Sequence, residues 1–249
     1  MNILWEIGDD DVAKVKAFFA RHCDSPFVMN RIARNVKKSA PKATKDLFWQ
    51  AMVSCLLTTQ QRSGPKSAVS RFICTDPFPL NYKISSSQSD LNSFALTTIT
   101  RFGGIRRGNK IADEVSKNFE WVETGGWPSI MPIVHRLEND RGIQVERESA
   151  EFITDNLKGF GPKQARNLLQ SLGLTRFEIP VDSRIIKWLN EFGFPIKLSA
   201  AGLTDKSYYN FILDGVQLLC ERSGLYPCAL DAAIFSSFDA EWPEDSLIW

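Results

Sequence analysis

The stretch whose reading decides the fold is Asn156-Leu157-Lys158-Gly159-Phe160-Gly161-Pro162-Lys163-Gln164-Ala165-Arg166-Asn167-Leu168-Leu169. One helix is expected to end near Leu157. Another is expected to begin at Pro162, because a missing N–H costs nothing at the first helical position. Gly159 and Gly161 between them read as a tight hairpin, since glycine permits positive φ and lets another backbone approach closely. The first amides of the new helix have no partner inside it. Hairpin and helix start therefore offer outward N–H groups suited to an anion such as a DNA phosphate. The same letters also fit a plain corner that packs two helices together.

Lys163 stands just inside that helix start, where the helix dipole disfavours a permanent cation. The dipole and partial burial are expected to depress its pKa and free the amine for nucleophilic attack. Downstream comes Glu178-Ile179-Pro180-Val181-Asp182-Ser183-Arg184-Ile185-Ile186-Lys187-Trp188-Leu189. Pro180 imposes an extended approach, and Asp182 is placed to cap a helix running from Ser183 to Phe192. Asp182 follows Lys163 by nineteen residues.

Working outward, helical signals dominate and sustained period-2 alternation is scarce, which predicts an all-α fold. Val12, Val15, Phe18 and Phe19 share one face of a helix that Asp10 or Asp11 would cap. Thr44 precedes Phe48, Trp49, Met52, Val53, Leu56 and Leu57, a run apolar nearly all round and hence a buried helix. Further helices are expected over 111–119, 149–157, from Asp205 or Ser207 to Cys220, and from Pro227 through Phe235. Residues 77–89 read as a loop and Gly125-Gly126-Trp127-Pro128 as a turn.

The chain has 249 residues, 43% hydrophobic and 24% charged, with a formal charge of +1. That suits a globule with a substantial core and excludes a global polycation. Basic residues are nevertheless grouped: Arg31, Arg34, Lys37, Lys38, Lys42 and Lys45 in one stretch, and Arg101, Arg106, Arg107 and Lys110 in another. Such groups serve either a backbone-binding patch or a solvated face. The five cysteines, Cys23, Cys55, Cys74, Cys220 and Cys228, lack metal-ligand spacing and are expected to be reduced thiols. No secretory leader and no apolar run of roughly 20 residues is seen, so a cytoplasmic, nucleoid-associated protein is expected.

The hairpin and the Pro-Val-Asp turn together resemble the helix–hairpin–helix superfamily of DNA glycosylases, over about forty residues. That resemblance implies two helical lobes with a DNA- and base-binding cleft between them. Residues 40–172 would form the central lobe with the hairpin, and 1–39 plus 173–249 a second lobe built from both termini. Members that also cut the strand carry lysine two positions after the second glycine, which here is Lys163, and the aspartate at the position of Asp182. Cys220 and Cys228 alone do not make the four-cysteine cluster of the iron–sulfur members. The chain is therefore most similar to the 8-oxoguanine glycosylase/lyase type without a cluster.

The resemblance implies excision of an oxidised base, 8-oxoguanine foremost, by attack of Lys163 on C1′ followed by β-elimination, with Asp182 beside it. Gly159, Gly161 and Lys158 would hold DNA phosphates. The helix end and loop Leu56-Leu57-Thr58-Thr59-Gln60-Gln61-Arg62-Ser63 would enter the DNA stack, with Gln60 or Gln61 filling the hole left by the extruded base and Arg62 among the DNA-binding residues. Trp242 or Trp249 would stack on the extruded base. No metal or organic cofactor is implied, apart from a monovalent cation at the hairpin carbonyls when DNA is bound. The expected partner is double-stranded DNA with a damaged base, and the expected state a monomer. Two other readings fit the same motif: a monofunctional glycosylase in which water attacks, and a non-catalytic DNA-binding module.

Overall fold

The computed structural model describes residues 4–61 and 63–238, and among them every regular element is helical and none is a strand. The α-helices, in chain order, are α1 (Asp9–Ala20), α2 (Pro26–Arg31), α3 (Lys45–Leu57), α4 (Ala68–Ile73), α5 (Tyr82–Ser86), α6 (Leu91–Phe102), α7 (Gly108–Trp121), α8 (Trp127–Asn139), α9 (Ile143–Asn156), α10 (Pro162–Ser171), α11 (Ser183–Phe192), α12 (Lys206–Ser223) and α13 (Pro227–Phe238). The all-α expectation holds. No helix of the described residues is long and apolar enough to cross a membrane.

Several elements depart from the sequence reading for local reasons. The 77–89 loop contains α5, capped by the Asn81 side chain, which accepts from the Ile84 N–H at 2.9 Å. The expected turn at Gly125–Pro128 is a kink at Gly125, so short that α8 starts at Trp127. Gly125 absorbs the kink at φ +133°. α8 tolerates Pro132 in its second turn, where a single ladder bond is forgone. The first helix is capped by Gly8 rather than Asp10 or Asp11, its N–H donating to Asp11 Oδ2 at 3.0 Å. Thr44 and Asp205 cap α3 and α12 as their letters suggest.

The basic run 31–45 is not one surface. Arg31 is buried against Asp231, and Arg34 donates to the Ser171 carbonyl. Only Lys37, Lys38, Lys42 and Lys45 are exposed.

Buried side chains gather into two main cores. One runs from Ala43 to Leu174 and is centred on α3, with Phe48, Trp49, Met52 and Leu56 fully buried. The other joins Val15 of α1 to Ile179, Val181, α11, α12 and α13. Phe27 and Val28 of α2 pack on Ala232 and Ala233 of α13.

The segment 175–182 crosses from one core to the other and is pinned at nearly every residue. Fully buried Glu146 accepts from the N–H groups of Arg176, Phe177 and Glu178, at 2.8–3.1 Å. The buried Glu178 carboxylate pairs with Arg166 at 2.7 Å and Arg147 at 2.9 Å, and accepts from Gln217 Nε2 at 2.9 Å. Tyr209 OH accepts from Val181 N–H at 2.7 Å and donates to the Ile179 carbonyl at 3.0 Å. A buried carboxylate is costly unless its lone pairs are filled, and here the filling fixes where Asp182 arrives.

Candidate active site

Lys163 and Asp182 come from opposite sides of that crossing and line one pocket. Its other walls include Gln60, Gln61, Asn167, Gln170, Arg184, Asp231 and Phe235. Lys163 is presented by the hairpin. Leu157 ends α9, Phe160 N–H donates back to the Leu157 carbonyl at 3.3 Å, and Pro162 opens α10. Asn118 clamps the loop from below, donating to the Lys158 carbonyl at 2.9 Å and accepting from Lys158 N–H at 2.7 Å.

The two hairpin glycines do different things. Gly159 has φ +84°, and a Cβ there would come within 2.6 Å of Glu114 Cδ and 2.7 Å of Leu56 Cδ2. The fold itself requires it. Gly161 has φ −99° with nothing within 4 Å of an added Cβ, and it is exposed. Nothing inside the protein explains its lack of a side chain. As N-cap of α10 it also brings no capping side chain to the helix amides.

Lys163 forms no salt bridge or hydrogen bond among the described residues. Burial holds its amine below lysine's ordinary range, against the opposing pull of Asp182. Cys55, fully buried on α3, is no competing nucleophile, since burial pushes its thiol up to about 12. Asp182 is capped and paired at once. Its Oδ1 accepts from the N–H groups of Arg184 and Ile185, at 2.8 and 3.4 Å. Its Oδ2 accepts from Arg184 Nη2 and Nε, at 2.6 and 3.0 Å. Burial would raise this carboxyl, but the Arg184 guanidinium, with Lys163 adding to it, holds it below the usual carboxylate range. Arg184 thus keeps the acid ionised without drawing Lys163 into a salt bridge.

The Gln60–Gln61 pair divides in the same way. Gln61 Nε2 donates to the Leu57 carbonyl, its Oε1 accepts from Arg106 N–H at 2.8 Å, and Arg107 Nη1 donates to the Thr59 carbonyl at 3.0 Å. These contacts hold a turn in which Gln60 takes left-handed backbone, φ +57°, and stands exposed at the pocket mouth. Lys158 is exposed at the hairpin. Arg62, Trp242 and Trp249 lie outside the described residues. The residues that pattern reading missed are Arg184, Asp231, Gln170 and Arg31. Arg184 was within reach, two positions after the capping aspartate; the other three meet only through tertiary packing.

No protein-family model and no curated protein sequence matches the chain. Among solved structures, it is similar to the 8-oxoguanine DNA glycosylase of Thermotoga maritima, at 14% identity and a TM-score of 0.65, over 94% of this chain and 98% of that one. It is also similar to the 8-oxoguanine glycosylase/lyase of Methanocaldococcus jannaschii in complex with a 15mer DNA containing 8-oxoguanine. There the identity is 16% and the TM-score 0.62, over 92% of this chain and 98% of that one. The likeness is one of fold.

Proposed function

We propose that the chain is a base-excision DNA glycosylase with strand-cutting lyase activity, acting on double-stranded DNA as a monomer. The observation that carries this reading is the pairing in one pocket of an unpartnered, desolvated lysine with an ionised aspartate. Oxidised guanine is the proposed substrate, which the structurally similar enzymes support through the lesion in their names. Residues 40–172 are taken as one lobe and 1–39 with 173–249 as the other, a division supported by the two main groups of buried side chains, with Leu174 packing in the first.

C1′ of a stacked nucleotide is out of reach, so the base must be extruded into the pocket. Gln60 is placed to occupy the gap it leaves. Outward amides at Gly161 and α10 suit a phosphate, and Lys158 adds a charge there, which positions the backbone without reading sequence. Neutral Lys163 attacks C1′; the C1′–N bond breaks and its electron pair leaves with the base. Asp182, ionised close by, stabilises the positive charge that develops on the sugar, the kind of preorganised term that usually weighs most. The amine then sheds a proton and the sugar ring opens to a Schiff base. Loss of a C2′ proton expels the 3′ phosphate by β-elimination. The Leu157 and Lys158 carbonyls already accept internal bonds. A monovalent cation at the hairpin would share them, and no step above depends on it.

Borohydride trapping across a panel of lesion duplexes tests the reading. A covalent adduct is expected with at least one oxidised purine. Base release without any adduct would make the enzyme monofunctional, and neither would leave a DNA binder.

The glycines give a separable pair of predictions. Gly159→Ala should cost about 2 kcal/mol or more, from its left-handed backbone and two close contacts. In thermal unfolding that is a fall in Tm of about 4–8 °C for a chain of this size. Gly161→Ala should leave stability within about 0.5 kcal/mol yet weaken duplex binding about 10-fold, equivalent to about 1.4 kcal/mol. Unchanged affinity in that variant would remove the phosphate from the hairpin.

A further inference from the structure

The residue that follows Lys163 takes no part in the chemistry above, yet it is polar and buried. Gln164 is 6% exposed, in the first turn of α10. Ala165, Leu168 and Leu169 already join α10 to the core centred on α3. An apolar residue would serve that packing without a polar group to desolvate. The Gln164 Nε2 donates to the Cys55 carbonyl at 2.8 Å and to Thr59 Oγ1 at 2.5 Å. Its Oε1 accepts from no described residue. Every side-chain bond that Gln164 makes therefore goes to the end of α3 and to the turn that follows it.

That turn presents Gln60, and it is held from several sides. The Thr59 hydroxyl accepts from Gln164 and itself donates to the Cys55 carbonyl at 3.0 Å. Arg107 holds the Thr59 carbonyl, and Arg106 and Leu57 hold the two ends of the Gln61 amide. Among the described residues, the non-glycine positions with left-handed backbone are Lys38, Gln60 and Arg107. Gln60, at φ +57°, and Arg107, at φ +62°, belong to the two turns that these bonds join. Such backbone is costly and persists only where its surroundings enforce it. Gln164 brings the nucleophile's own helix into that enforcement.

We infer that Gln164 is a positioning residue that ties the turn presenting Gln60 to the helix presenting Lys163, so that the gap-filling group and the attacking amine are carried as one body. The inference rests on the base-excision reading above. Extrusion costs stacking and pairing energy, and the base stays out of the duplex only while its gap is filled. With the tie in place, a duplex whose gap is filled by Gln60 has the extruded C1′ set against Lys163. With the tie broken, the turn relaxes from its left-handed backbone, and the base returns to the stack before the amine attacks. The tie therefore serves capture of a stacked base, not the reactivity of Lys163.

The test compares single-turnover base release from a duplex carrying 8-oxoguanine with incision of an abasic duplex, whose sugar has no base to unstack. Gln164→Met keeps the length and bulk of the side chain but donates nothing. It should slow base release about 10-fold and leave abasic incision within about twofold of wild type. Thr59→Val breaks the same bond from the other side and should give the same split. Thr59→Ser keeps the hydroxyl and should behave as wild type. Adding Gln164→Met to Gln60→Ala should slow base release by no more than about threefold beyond Gln60→Ala alone, since the tie then has no gap-filling group to place. Equal losses in both reactions overturn the inference, by making Gln164 a prop of the nucleophile or of the fold. Unchanged base release overturns it too, as do losses that multiply in the double variant. Should Gln164→Met fail to fold, the Thr59 pair decides by the same criteria. In each of these cases adduct formation by the wild type leaves the base-excision reading standing. Absence of any adduct or incision by the wild type would overturn both.

Discussion

Lys163→Gln is expected to abolish base release and strand scission together, by on the order of 10⁴-fold or more, while duplex affinity stays within a few fold. Glutamine keeps most of the side chain's length and polarity but has no basic nitrogen to attack C1′. The cavity wall survives, so the loss falls on chemistry. The wild-type profile follows from the direction of the lysine's shift. Attack needs the neutral amine, and burial holds that amine below lysine's ordinary range. The single-turnover rate should therefore rise with pH through the lowered pKa and level off before about 10.4, the value of a free lysine side chain. An adduct trapped by borohydride from Lys163→Gln would move the nucleophile elsewhere.

Asp182→Asn has the second largest expected effect, a slowing of base release by about 10²- to 10³-fold with the fold retained. Asparagine caps a helix about as well as aspartate, so α11 should keep its start, and Tm should change little. What goes is the negative charge facing the developing cation, along with the ion pair to Arg184 at 2.6 Å. A second signature separates this from mere loss of a cap. Asp182 raises the Lys163 pKa, so its removal should move the pH limb of the reaction downward even as the plateau falls. A variant with wild-type rates and an unmoved limb would reduce Asp182 to the cap it also is.

Those two residues were legible in the sequence because local backbone demands mark them. Two glycines and a proline announce the hairpin, and Pro180-Val181-Asp182 announces a capped helix whose bounds, Ser183–Phe192, emerge as expected. α6 carries equally local marks, Asp90 as cap and Leu91, Ala95 and Ile99 buried on one face. α8 was masked by Pro128 and Pro132, which punctuate a sequence more strongly than they break this helix. The basic run 31–45 misled because charge alone does not say which side faces water. Arg31 points inward, to an acid two hundred residues away in the chain. Pairings at that separation leave no periodic mark. The Gln60–Gln61 pair shows the same limit at short range, since only the fold reveals that Gln61 holds the turn and Gln60 stands free of it.

The clamped crossing at 175–182 makes the spacing between nucleophile and acid a mechanical property of the whole molecule. Glu146 and Glu178 act like rivets on a hinge plate, and neither lines the pocket. Loosening a rivet would let the acid drift from the amine while every reacting group stayed chemically intact. In a screen scored by turnover, substitutions there would pass for active-site lesions, and unchanged affinity for intact duplex would tell them apart from the loss of a DNA contact.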